Sequence, residues 1–225
     1  MNGLVALAAA VVGLAVGPVL AKASGRIGAR TADVGRIVRV TVVTTLIFTA
    51  LATRLVGDPQ TRYALPAFLV LAGAGVVLAV VDLDTSRLPD AITIPAYPVL
   101  AGLLVTASVA AGDVSTLVRS GIGAAMCLTL YAGLCLAPGE GLGFGDVKLA
   151  GLLGMALGWL SWSSLVTGVV LGFGYGAMMG LVLLATGRAT IHSRMPFGPA
   201  MLAGAFTGVL VGERLSAAYL AWALP

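Results

Sequence analysis

The chain has 225 residues, 59% of them hydrophobic and only 10% charged. Soluble domains carry about 25% charged residues, so this composition excludes an ordinary water-soluble core and points to lipid as the solvent. The net charge of +4 is spread between apolar runs, which excludes a nucleic-acid patch, and Cys127 and Cys135 lack the nearby His or Cys partners a zinc site needs.

Eight stretches are candidate spans: roughly 3–20, 38–56, 64–81, 91–111, 117–137, 147–161, 164–185 and 197–212. A crossing takes about 20 mostly apolar residues, and the sixth and eighth stretches are the shortest. The expected fold class is therefore all-α, a polytopic membrane bundle of about eight helices. Helices are the natural solution because each satisfies its own backbone hydrogen bonds where no water is present.

The first stretch lacks the positive leading segment of a cleaved signal peptide; Lys22, Arg26, Arg30 and Arg36 follow it instead. That order predicts a retained span with its N-terminus outside. Eight crossings then place 21–39, 82–90, 138–148 and 186–196 inside, with nine of the 13 basic residues. The bias follows the positive-inside rule. In the fifth span, Cys127 and Cys135 read as apolar filler. Gly168, Gly172, Gly176 and Gly180 in the seventh span, and Gly204, Gly208 and Gly212 in the eighth, recur every four residues. Such spacing makes a smooth ridge for close helix approach. Trp159, Trp162 and Trp222 read as interface anchors.

Five of the nine acids fall in two inner loops. The first is Asp82-Leu-Asp84-Thr-Ser-Arg-Leu-Pro-Asp90. The second is Gly139-Glu-Gly-Leu-Gly143-Phe-Gly145-Asp146-Val-Lys148, with glycine at every other position from 139 to 145. A glycine-rich segment of this kind leaves backbone groups open for an extended peptide. Two carboxylates brought together hydrolyse a peptide bond without a nucleophile: one takes a proton from water, the other supplies one. Like charges at close range cannot both ionise, so such a pair shares a proton. His192 is the one histidine, and no Ser-His-Asp set is evident.

Each acid also has a structural reading. Asp90 and Asp146 precede spans and suit helix N-caps. Asp84 reads as a solvated loop carboxylate or a supporting group, and Glu140, Asp58 and Asp113 as hydrated loop acids. Asp82 directly follows the apolar run Leu65–Val81, at a helix C-terminus where negative charge is disfavoured. On this reading Asp146, near a helix N-terminus and Lys148, is the base. Asp82 holds the proton and is the acid. The two acids are expected to converge on one water beside the inner leaflet.

At these residues the sequence resembles a known family. The segment 82–90 resembles the first motif of the type IV prepilin peptidases. Gly143-Phe-Gly-Asp146 resembles the Gly-x-Gly-Asp motif they share with archaeal preflagellin peptidases and presenilins. Arg194-Met-Pro196-Phe197-Gly198-Pro199-Ala200 resembles the Pro-Phe-Gly-Pro segment before their last span. The resemblance covers roughly 64–212 and implies catalytic roles for Asp82 and Asp146. Gly143, Gly145, Lys148, Asp84, Asp90, Pro196, Phe197 and Gly198 are expected to support them or bind substrate.

The implied reaction removes the leader peptide of type IV prepilin-like proteins, cutting after a glycine just before the substrate's hydrophobic helix. Residues 1–60 are expected to form an N-terminal two-span region and 61–225 a six-span catalytic region. The implied partners are a prepilin or pseudopilin helix and lipid, at the cytoplasmic face of a bacterial plasma membrane. Many relatives carry an insert with two Cys-x-x-Cys pairs and N-methylate the product. The loop 21–38 has no cysteine, so no metal or cofactor is expected, and S-adenosylmethionine use and oligomeric state are left open. His192 and Arg194 suit either lipid anchoring or orientation of an acidic group. The competing classes are a proton- or cation-coupled transporter, which would place its acids near mid-membrane, and a subunit of a pilus assembly machine with no chemistry.

Overall fold

The computed structural model describes residues 2–28, 32–137, 142–187 and 196–223. Among these residues there are eight α-helices: α1 (Asn2–Ile27), α2 (Val34–Val56), α3 (Leu65–Thr85), α4 (Asp90–Ala111), α5 (Ser115–Leu136), α6 (Phe144–Leu160), α7 (Trp162–Ala185) and α8 (Gly198–Ala223). A single 3₁₀ turn, Arg62–Ala64, leads into α3, and no strand occurs among the described residues. The all-helical expectation holds at every stretch, with longer helices than hydropathy alone delimits. In particular α3 continues through Thr85, which carries Asp82 and Asp84 into the helix.

Six helices, α1 to α5 and α7, are long and apolar enough to span a bilayer. The 17 residues of α6 give a rod of about 26 Å, short of the roughly 30 Å hydrocarbon layer. It is buried on nearly every side, from Asp146 and Val147 to Trp159, as a helix apolar all round should be. Trp159 is 2% exposed and packs inside the protein, so the interface-anchor expectation fails there. Trp162 and Trp222 are exposed.

The chain forms two compact units, Met1–Leu117 and Val118–Pro225. In the first, α1 offers a face of small residues, Ala9, Gly13, Gly17, Ala21 and Ser24. A Cβ on Gly13 would stand 2.7 Å from Thr45 Cα, so α2 lies against the α1 backbone itself. The Thr44 and Thr45 hydroxyls donate to carbonyls one turn back, Val40 O at 2.7 Å and Thr41 O at 2.8 Å. They therefore enter the apolar interface already satisfied. Ala21, Val40 and Val76 join α1, α2 and α3 in one buried cluster, with Leu20, Ile37, Ile47 and Val80 around it.

In the second unit the glycine ridges pack as the spacing predicts. A Cβ on Gly204 would lie 2.5 Å from Gly172 Cα and 2.6 Å from Gly168 O, and one on Gly208 2.9 Å from Gly168 Cα. Between α5 and α6 a second seam uses Gly123, Gly154 and Gly158, where a Cβ on Gly158 would meet Arg119 O at 2.8 Å. Arg119 closes the α6 C-terminus: Nε donates to Gly158 O at 2.6 Å, and Nη2 to Trp159 O at 2.5 Å and Leu160 O at 2.9 Å. These carbonyls have no partner within the helix. Cys127 is buried, Cys135 partly so, and both are free thiols.

Candidate active site

The first unit supplies Asp82, Asp84 and Asp90. Asp82 lies in the last turn of α3 and is 3% exposed. The sequence places it just past the helix; the structure buries it within. Its carbonyl accepts the Ser86 N–H at 2.7 Å, and Ser86 (φ 50°, ψ 38°) ends the helix in the left-handed region. A non-glycine residue there costs about 1–2 kcal/mol, a strain typical of functional sites.

Asp84 is not a solvated loop acid. Its side chain is 11% exposed and its Oδ2 accepts from the Arg36 guanidinium, itself 10% exposed. The α3 extension turns that carboxylate into the protein, against the first turn of α2. Nor is Asp90 the N-cap of α4. Pro89 occupies that position, making no side-chain cap bond, and Asp90 is the exposed first helical residue. It still sits where the helix dipole favours a carboxylate.

The second unit supplies the other motif. Gly143 is the N-cap of α6 in extended conformation (φ −75°, ψ 154°), and Asp146 stands in the first turn. The Asp146 N–H donates to Gly143 O at 3.0 Å, and Asp146 Oδ2 accepts the Gly143 N–H at 3.0 Å. The capping role foreseen for Asp146 is thus realised from inside the helix. Burial accompanies it, for Asp146 is only 9% exposed. Gly145 lies beside it in the same turn, and the Lys148 ammonium sits 5.1 Å from the centre of the Phe144 ring.

Pro196 and Phe197 lead into α8, which starts at Gly198 with Pro199 in its first turn, a favoured proline position. Phe197 fills the space above Gly176, against whose missing Cβ the ring is pressed. Its ring centre lies 5.7 Å from Phe173 and 6.5 Å from Tyr131, and Tyr131 stacks on Phe173 at 5.2 Å. Tyr131 is buried and within electrostatic reach of Asp146. Sequence reasoning missed Tyr131, although it is the one aromatic residue of α5. It also missed Arg36, which no local pattern links to position 84. Glu140, His192 and Arg194 lie outside the described residues. Among the described residues, no three His, Cys, Asp or Glu side chains gather as a metal site.

Apolar helices, six of them long enough to cross a bilayer, define a polytopic helical membrane protein, with one buried aspartate in the last turn of α3 and another in the first turn of α6. Residues 69–185 match the type IV leader peptidase family, and the chain belongs to it. The prepilin leader peptidase/N-methyltransferase of Stutzerimonas stutzeri is 29% identical over 159 residues, 70% of this chain and 53% of that protein. Its namesake in Burkholderia pseudomallei strain 1026b is 34% identical over 154 residues, 66% of this chain and 47% of that protein. The one in Aeromonas hydrophila is 32% identical over 156 residues, 68% of this chain and 52% of that protein. The chain spans about half the length of the curated relatives it matches. No solved structure matches it.

Proposed function

We propose that the chain is a membrane aspartic endopeptidase that removes the leader peptide of type IV prepilin-like proteins at the cytoplasmic membrane face. One observation carries the reading: among the described residues, Asp82 and Asp146 are the two buried acids, and both fall within residues 69–185 that match the family. Asp84 is paired with Arg36 and Asp90 is exposed, while Asp82 is the most buried acid of the first motif, which supports it as the reacting one. Both buried acids sit in end turns rather than mid-helix, a placement that does not favour a transporter.

In this mechanism Asp82 and Asp146 converge on one water. Asp146, ionised at a helix N-terminus, takes a proton from it. The oxygen adds to the scissile carbonyl carbon while Asp82, the neutral partner, donates a hydrogen bond to the carbonyl oxygen. The C–N bond then breaks, and the departing amine takes a proton from the acid pair. The N-terminus is outside, residues 61–225 form the catalytic region and 1–60 an accessory pair of spans. The substrate is a prepilin or pseudopilin helix held in lipid.

The test is co-expression with a prepilin precursor whose size is followed on gels. Wild-type protein should shorten it, and Asp82→Ala and Asp146→Ala should each abolish shortening while still accumulating in the membrane. Processing by either variant ends the reading. The mass of the product N-terminus reports whether a methyl group is added.

A further inference from the structure

We infer that Arg36 is a positioning residue for the peptidase reaction, gripping the last turn of α3 through Asp84 so that Asp82 projects at its working angle. This rests on the reading of Asp82 as a catalytic acid. Arg36 lies outside the residues that match the family, so the assignment comes from geometry alone.

The grip has three parts. Asp33, the N-cap of α2, accepts the Arg36 N–H at 2.7 Å and fixes the backbone from which the guanidinium reaches. The guanidinium donates to Asp84 Oδ2, with both side chains about nine-tenths buried. The end of α1 presses on the same carboxylate: a Cβ on Gly28 would stand 2.9 Å from Asp84 Oδ2 and 2.8 Å from Ser24 O. Three helices therefore meet on one carboxylate, two residues beyond Asp82.

That spacing matters. A helix turns about 100° per residue, so positions 82 and 84 point roughly 200° apart. Holding Asp84 sets the rotation at which Asp82 emerges. The turn being held is the last before Ser86 ends the helix, and terminal turns fray unless tied down. A buried ion pair is weak support for stability, since desolvation offsets much of the attraction. Its contribution here is geometric, and displacement of a reacting group by about 1 Å costs up to 100-fold in rate.

The test uses the full chain purified with lipid and a prepilin precursor as substrate. The double variant Arg36→Gln/Asp84→Asn removes both charges and leaves neither alone in the interior. Its kcat should fall about 10- to 100-fold, with KM within about twofold and the limbs of its pH–rate profile displaced, because the surroundings of Asp82 change. Arg36→Lys keeps the charge but not the planar fork and should fall in between. It carries the test if the double variant does not accumulate. A wild-type kcat in either variant overturns the proposal. So does a kcat lowered only in proportion to folded protein with an unchanged pH profile, which marks a purely structural pair. If wild-type protein cleaves no precursor, it is the peptidase reading that fails. The grip is then judged by amide hydrogen exchange at residues 82–86, faster in the double variant if it exists and unchanged if it does not.

Discussion

Asp146 has two roles that a single substitution can separate. Its Oδ2 accepts the Gly143 N–H at 3.0 Å and so ties the first turn of α6 to the glycine loop. The same carboxylate is the proposed base. Asparagine keeps an acceptor oxygen of nearly the same reach but cannot take the proton from water. Alanine keeps neither. Loss of an N-terminal side-chain cap costs about 0.5–2 kcal/mol, and loss of the charge beside the helix dipole about 0.3–1 kcal/mol. Asp146→Asn should therefore lose about 0.3–1 kcal/mol and Asp146→Ala about 1–3 kcal/mol. Thermal unfolding in a fixed detergent, followed by intrinsic fluorescence, measures the difference. Cleavage should behave otherwise. Both variants lose general-base catalysis, about 10²- to 10⁴-fold, and should be equally inactive. An Asp146→Asn protein that cleaves at the wild-type rate refutes the catalytic role and leaves Asp146 as a cap alone. Activities that track the two stabilities would refute it as well.

Three further outcomes follow from packing and from the proposed convergence. Arg119→Ala strips the α6 C-terminus of three donors at 2.5–2.9 Å and should cost about 2–4 kcal/mol, less than three independent charged hydrogen bonds because one partly exposed group makes them all. Unfolding in graded denaturing detergent reads that loss, and Arg119→Lys should recover only part of it. Gly204→Ala forces a methyl group to within 2.5 Å of the Gly172 backbone and should destabilise by about 1–3 kcal/mol. Gly102→Ala, where nothing lies within 4 Å, should be neutral or stabilising by up to about 1 kcal/mol; equal effects at the two sites would contradict the ridge. Finally, Asp82→Cys/Asp146→Cys, with Cys127 and Cys135 replaced by alanine, should be bridged by a short bifunctional thiol reagent, since side chains facing one water stand further apart than a direct disulfide allows but within such a reagent's span. Thiols left unbridged would count against convergence.

The fold was legible because its information is one-dimensional. Apolar length places all eight helices, and glycine recurrence identifies the α7–α8 seam before any coordinates. Helix ends were less so. Asp82 and Asp84 look like loop residues because hydropathy stops at Val81, whereas backbone hydrogen bonding carries the helix on to Thr85. The small-residue face of α1 was equally present in the sequence, at Ala9, Gly13, Gly17 and Ala21, but alanine in a span is too common to stand out. Trp159 was misassigned for a related reason: burial depends on neighbours, and α6 is enclosed where an average span is not. Of the site, the motifs supplied Asp82 and Asp146. The partners of their neighbours, 48 positions apart for Arg36 and Asp84, depend on tertiary packing.

This last separation bears on how the chain divides labour. A division at residue 60 would make the first two helices accessory to a catalytic region. Packing divides the chain elsewhere, grouping α1 and α2 with α3 and α4 in one compact unit that ends at Leu117. The first motif lies in that unit and the second in the other. The family match begins only at residue 69, yet the turn bearing Asp82 is held from outside it, by Arg36 on α2 and the end of α1 at Gly28. A carboxylate that shares a proton must be placed to a fraction of an ångström, and a helix terminus does not hold itself to that tolerance. On the proposed roles the N-terminal pair of helices stays accessory, in that it supplies no reacting group, and yet it sets where one of them points.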